Sequence, residues 1–217
     1  MFAYVIYVLK MKFMMKLKIC GMKDLDNMNA VAELRPDYMG FIFYRDSPRY
    51  VGGNFSLPAP FPGVANVGVF VDESTDEVLY RLKFIKSRTA QLHGSETPSQ
   101  CNELRRWGVT VIKVFSVDKD FDFRRTKEYQ RMANFFLFDT KGKMPGGNAE
   151  TFDWNKLKEY DQSVPFFLSG GLNPENVKDL SVLNGMNVHA LDLNSGVEDS
   201  PGIKSIEKIK SVMSSLK

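Results

Sequence analysis

The stretch ANVGVFVDESTDEVLYRLKFIKSRTAQLHGSETPSQCNELRRWGVTVIKVFSV, residues 65–117, decides the fold. ANVGVFV, TAQLH and TVIKVFSV are short β-rich apolar runs that read as strands buried on both faces. Between the first two, STDEVLYRLKFIKS (74–87) opens on Ser and Thr and repeats Val78, Leu79, Leu82 and Ile85 at helical spacing, which predicts an amphipathic helix. Between the second and third, TPSQCNELRRWG (97–108) has Thr97 as a candidate N-cap, Pro98 at the first helical position and Gly108 as a stop. Strand, helix, strand, helix, strand calls for parallel pairing with right-handed crossovers.

The same rhythm extends both ways from this segment. LKIC (17–20) precedes a helical stretch from Asp24 to about Leu34, and YMGFIF (38–43) is a second strand. Downstream, TVIKVFSV is followed by a charged helix near 120–132, and FFLFD (135–139) by DWNKLKEY (153–160). PFFLS (165–169) leads to NPENVKDLSVL (173–183), and VHALDL (188–193) to a final helix near 203–216. Eight β-units in this length favour a closed (β/α)8 barrel of the TIM type, a single α/β domain, over an open doubly wound sheet. The second helical segment is expected to be irregular, because GGNFSLPAPFPG (52–63) carries Pro58, Pro60 and Pro62.

The domain is assigned to 16–217, and residues 1–15 (MFAYVIYVLKMKFMM) to a non-structural extension. Its apolar run, Phe2 to Leu9, falls far short of the roughly 20 residues that cross a bilayer. No basic residue precedes it and no cleavage signal follows. Met14 and Met15 are candidate internal starts, and an added surface strand is the competing reading. Composition bounds the function as well. A net charge of +3 is too small to imply nucleic acid or an anionic membrane as partner, so any anion site must be local. The two cysteines, Cys20 and Cys101, show no zinc spacing and form no secreted-type disulfide framework, which points to the cytoplasm.

Catalytic groups of such barrels sit at the carboxyl ends of strands. The residues there are Cys20, Arg49, Gln91, His93, Asp139, Ser169 to Gly171 and Asp192 to Gly196. SGGL (169–172) and NSGV (194–197) follow strands seven and eight, where backbone N–H groups can hold a phosphate, although glycine also serves tight turns. Cys20 and Asp139 could act as base and acid across the pocket. A thiol is a few per cent ionised at neutral pH, so Cys20 needs a cation or polar donor nearby. Cys101, on a predicted helix, and His189, early in its strand, read as packing.

KICG (18–21), GFIFYRDSPRYV (40–51), VGVFVD (67–72), QLHG (91–94), FLFDTK (136–141), TFDW (151–154), LSGGLNPENV (168–177) and LDLNSGVEDSPGIK (191–204), taken in order, resemble the phosphoribosylanthranilate isomerase family. The resemblance implies a (β/α)8 enzyme of tryptophan biosynthesis that works without metal or organic cofactor, with a small phosphosugar-anthranilate as its partner and a monomer or homodimer as its assembly. It implies an Amadori rearrangement with Asp139 as general acid and Cys20 as general base. Arg49 would take the anthranilate carboxylate, Gln91, His93 and Asp192 the rest of the substrate, and Gly170, Gly171, Ser195 and Gly196 the phosphate. The sequence departs from the family at Gly146-Gly147-Asn148-Ala149 and at Asn194. Three other readings compete: a sister aminoaldose isomerase, which would use two aspartates; a thiol enzyme with nucleophilic Cys20, for which no resolving partner is evident; and a non-catalytic phosphate-binding barrel.

Overall fold

The computed structural model describes residues 15–140 and 151–216. The expected extension, apart from Met15, and the departure at 146–149 lie outside the described residues; Met15 is partly buried against the core. Eight parallel strands close into a barrel in sequence order. They are β1 (Lys16–Ile19), β2 (Tyr38–Ile42), β3 (Ala65–Phe70), β4 (Thr89–Leu92), β5 (Thr110–Val117), β6 (Phe135–Thr140), β7 (Phe166–Leu168) and β8 (Val188–Leu193). All eight expected strands are present. The seam is the β1–β8 ladder, whose register sets Lys18 opposite Asp192 and Ile19 opposite Leu193.

Alternation along each strand sorts the core into two layers. Outward residues, among them Leu17, Ile19, Met39, Phe41, Leu92, Val111, Phe136, Phe138 and Leu191, pack under the surrounding helices. Inward residues Val67, Ile112, Val114, Leu137, Phe167 and Ala190 fill the lower barrel, while Cys20, Ile42 and Val69 form a smaller cluster above. The interior is therefore solid below and polar only towards its carboxyl-terminal mouth.

Four α-helices cover part of the barrel: α1 (Leu25–Glu33), α2 (Thr75–Phe84), α3 (Pro98–Arg106) and α4 (Ile206–Ser215). Each starts on a side chain that accepts a hydrogen bond from a first-turn amide: Asp24, Ser74, Thr97 and Ser205 respectively. Cys101 is fully buried on α3, and Gly108 (φ +76°) ends the turn that follows. The proline-rich 52–63 segment forms no helix; it docks by burying Leu57, whose N–H donates to the Phe84 carbonyl. Among the described residues no helix is long and apolar enough to cross a membrane.

The expectation of regular helices after β5, β6 and β7 is corrected. These connections are 3₁₀ segments, Phe123–Tyr129, Trp154–Glu159 and Val177–Leu183. Their buried side chains recur every third residue: Phe123 and Thr126, then Trp154, Leu157 and Tyr160, then Val177, Leu180 and Leu183. A period of three stacks these side chains directly over one another when there are three residues per turn, which suits the tighter helix. A short hairpin missed by the sequence reading, β9 (Glu198–Ser200) with β10 (Ile203–Lys204), follows β8.

At the amino-terminal end of the barrel, His189 packs 4.2 Å from the Phe135 ring and 5.1 Å from Phe167, with Nε2 2.7 Å from the Tyr38 hydroxyl. Burial, with Lys16 nearby, lowers its pKa to about 4. The unfolded chain takes up this proton near pH 6.5 and the folded one only near 4, so stability is fully present above 6.5 and declines as pH falls through that window. Because the ring is half-exposed, the contribution is on the order of 1–2 kcal/mol. Urea unfolding of His189→Gln is expected to show a shallower loss of stability between pH 6.5 and 4 than the parent; parallel acid limbs would contradict this.

Candidate active site

The carboxyl ends of the strands open into one pocket, lined by Cys20, Arg49, Gln91, His93, Asp139, Asp192, Gly170, Gly171, Ser195 and Gly196, together with Tyr44, Ser47, Ser169 and Asn194. All ten residues singled out from the sequence as catalytic or binding groups thus meet in one place. They arrive from β4, β6 and β8 and from the segments directly after β1, β2, β4, β7 and β8.

Cys20 directly follows β1, its N–H still donating to the Leu193 carbonyl. Gly21 (φ +75°) then turns the chain, and a Cβ there would meet Arg49 Cδ and Asn194 Oδ1 at 2.7 Å, so only glycine fits. Two residues upstream on the same inward face, Lys18 is completely buried and its Nζ donates to Asp192 Oδ1 at 2.8 Å. Burial pushes the Cys20 thiol up; the Lys18 ammonium opposes that shift and Asp192 adds to it. Burial also raises Asp192, against the pull of Lys18.

Asp139 sits near the end of β6. Its Oδ1 accepts from the Thr140 N–H at 2.9 Å, and its Oδ2 lies 3.3 Å from His93 Nε2. That approach lacks hydrogen-bond alignment, so Nε2 has no hydrogen-bond partner among the described residues, and neither has Gln91 Oε1. His93 Nδ1 lies 3.4 Å from Gln91 Nε2. The loop carrying His93 is pinned from below: Glu96 accepts from the amides of Asp72 and Gly94, and its carboxylate takes a 2.7 Å bond from buried Lys113.

Arg49 is not free in the pocket. Its Nε and Nη2 donate to the Glu198 carboxylate at 2.6–3.1 Å, a fork-to-fork pair with both side chains largely buried. Glu198 also accepts from Lys204 Nζ at 2.6 Å and from the Gly202 N–H. Burial works to raise the Glu198 carboxyl, yet these donors hold it below its ordinary range, while burial lowers Lys204 to about 8. Glu198, Lys204 and Lys18 were not singled out from the sequence. Lys18 was readable from its two-residue offset to Cys20, and Glu198 lies within the quoted SGVED run; the hairpin that brings Glu198 to Arg49 had no sequence signal.

The two glycine turns close on neighbouring backbone. Gly170 (φ +93°) lies against Thr140, where a Cβ would fall 2.2 Å from Oγ1, and Gly196 lies against the Leu172 carbonyl, where a Cβ would fall 2.0 Å from the oxygen. Glycine is therefore required at both positions by close approach.

A family model described as N-(5'-phosphoribosyl)anthranilate (PRA) isomerase matches residues 17–215. Proteins named N-(5'-phosphoribosyl)anthranilate isomerase from Phocaeicola vulgatus and Parabacteroides distasonis are 38% and 35% identical to the chain, covering 94% and 90% of it and 98% and 90% of themselves. The phosphoribosyl anthranilate isomerase of Thermotoga maritima superposes with a TM-score of 0.81 at 34% identity, over 93% of this chain and 98% of its own. Another such structure, in complex with reduced 1-(o-carboxyphenylamino)-1-deoxyribulose 5-phosphate, gives 0.78 at 32% identity with the same coverage. The chain belongs to the N-(5'-phosphoribosyl)anthranilate isomerase family.

Proposed function

We propose that the chain converts N-(5'-phosphoribosyl)anthranilate to 1-(2-carboxyphenylamino)-1-deoxyribulose 5-phosphate, an Amadori rearrangement in tryptophan biosynthesis, with Asp139 as general acid and Cys20 as general base. The observation that carries the assignment of roles is that a thiol and a carboxyl, held on the non-adjacent strands β1 and β6, line one pocket. Protonated Asp139 gives its proton to the furanose ring oxygen; the C1′–O bond breaks as the anilino nitrogen lone pair forms an iminium. The Cys20 thiolate then takes the C2′ proton; the electrons of the C2′–H bond form the C1′=C2′ bond and those of the C1′=N π bond return to the nitrogen, giving an enolamine. Proton transfer to C1′, with loss of the C2′ hydroxyl proton, yields the ketone. Iminium formation acidifies C2′–H, so a modest base suffices.

Binding follows the charges. Glu198 occupies the Nε/Nη2 edge of Arg49, and the remaining edge, Nη1 with the second Nη2 proton, suits a second, substrate carboxylate. Glu198 thereby acts as a positioning residue for the fork. Asp192, with one oxygen on Lys18, keeps the other for sugar hydroxyls; Gln91 and His93 line the substrate's flank. The turn amides at Gly170, Gly171, Ser195 and Gly196 take the phosphate, whose oxygens can approach bare backbone closely. A free thiol as base accords with a reducing cytoplasm.

Cys20→Ala and Asp139→Asn are each expected to lower kcat/KM for loss of substrate fluorescence by on the order of 10²–10⁴, with binding of reduced 1-(o-carboxyphenylamino)-1-deoxyribulose 5-phosphate retained. Parent-like turnover in either variant removes that residue from the mechanism, and absence of turnover in the parent, with phosphate binding retained, leaves only the phosphate-binding barrel. For Arg49→Lys, the loss of a planar bidentate donor is expected to raise KM on the order of 10–100-fold with a smaller change in kcat. An unaltered KM would place the anthranilate carboxylate elsewhere.

A further inference from the structure

The charged group nearest the proposed base is Lys18, completely buried in the barrel interior, where a lysine costs heavily unless it is paired. Its register partner across the closing seam is Asp192, at 2.8 Å. Gly40 on β2 leaves the space above. A Cβ there would stand 2.7 Å from Cys20 Sγ and 3.2 Å from Lys18 Nζ, so sulfur and ammonium converge on the same bare Cα. The ammonium is thus wedged between a carboxylate and a thiol, with no room for a side chain between strands.

We propose that Lys18 is a positioning residue for the rearrangement: its ammonium, shared between Asp192 and Cys20, is the counter-charge that keeps the buried thiol ionisable. This rests on the assignment of Cys20 as base. When the thiolate takes the C2′ proton, the sulfur becomes neutral and Lys18 keeps its own proton, held by Asp192 alone; no proton passes through the lysine. The charge environment agrees. Burial works to lower Lys18, but Asp192 and Cys20 together raise it above its ordinary range, so it stays an ammonium at any working pH. After burial, Lys18 is the strongest influence on Cys20, and it favours the thiolate. Asp192 on β8 acts in the opposite sense, and Lys204, on β10, adds weakly to Lys18. Asp139 on β6 and His93, just after β4, act on Asp192, with opposite signs. β2 faces the sulfur with uncharged Gly40 and Ile42.

The test is the ionisation of Cys20 in the full-length, substrate-free enzyme, followed by ultraviolet thiolate absorbance against pH with Cys20→Ala as the blank. Lys18→Met is expected to raise the midpoint by at least about one unit, a tenfold smaller thiolate fraction at neutral pH. Asp192→Asn, which leaves the ammonium to the sulfur alone, is expected to lower it. Opposite shifts separate tuning from general damage to the fold, which would not split the two variants. A midpoint unmoved in Lys18→Met, or shifts of the same sign, overturns the proposal. Should Lys18→Met fail to fold, Asp192→Asn decides alone: a lowered midpoint supports it and an unmoved or raised one overturns it. If Cys20→Ala keeps full turnover while the midpoints split, the base assignment falls and the tuning of the thiol by Lys18 stands.

Discussion

The seam at which β8 meets β1 is the constraint from which the rest follows. A barrel of eight parallel strands leaves no edge, and closing it fixes the register of its last strand on its first. Here that register sets Lys18 against Asp192, so closure and the pairing of two buried charges are one event. Either charge without the other would be costly in so dry an interior. The continuing ladder, Cys20 N–H to Leu193 carbonyl, carries the thiol to the mouth. The same strand then runs into Asn194 and the hairpin that supplies Glu198 and Lys204. One side of the pocket is therefore built by the act of closing the fold.

The site is also nearly self-neutralised. Arg49 and Lys204 share Glu198, Lys18 faces Asp192, and His93 stands beside Asp139. A chain with a net charge of +3 has no broad field with which to gather an anion. Attraction must come from donors with capacity left over: the open edge of one guanidinium and the amides of two glycine turns. Such donors discriminate by shape and direction more than by charge.

Much of this was legible in the sequence because period and punctuation reported it. Strands buried on both faces leave uninterrupted apolar runs, and all eight were readable. Two helices declare their starts through Ser74 and Thr97, which do cap them. Residues at strand ends pointed to the pocket because the barrel dictates where loops converge. The failures have physical causes. Periods of 3.0 and 3.6 differ little over six or seven residues, so Phe123–Tyr129, Trp154–Glu159 and Val177–Leu183 read as ordinary helices until their buried faces were seen. The pairings of Arg49 with Glu198 and of Lys18 with Asp192 span 149 and 174 residues and have no local signature.

Those 3₁₀ segments are not scattered: they follow β5, β6 and β7 in succession, whereas capped α-helices follow β1, β3, β4 and β8. Short 3₁₀ turns have poorer hydrogen bonds and no independent helical stability, so this sector of the shell exists only by virtue of the strands beneath it. The strand at its centre is β6, which carries Asp139. The two groups proposed for the chemistry thus rest on different supports. The thiol proposed as base sits at the seam that closes the barrel, and the carboxyl proposed as acid lies under a cover that has no helical stability of its own.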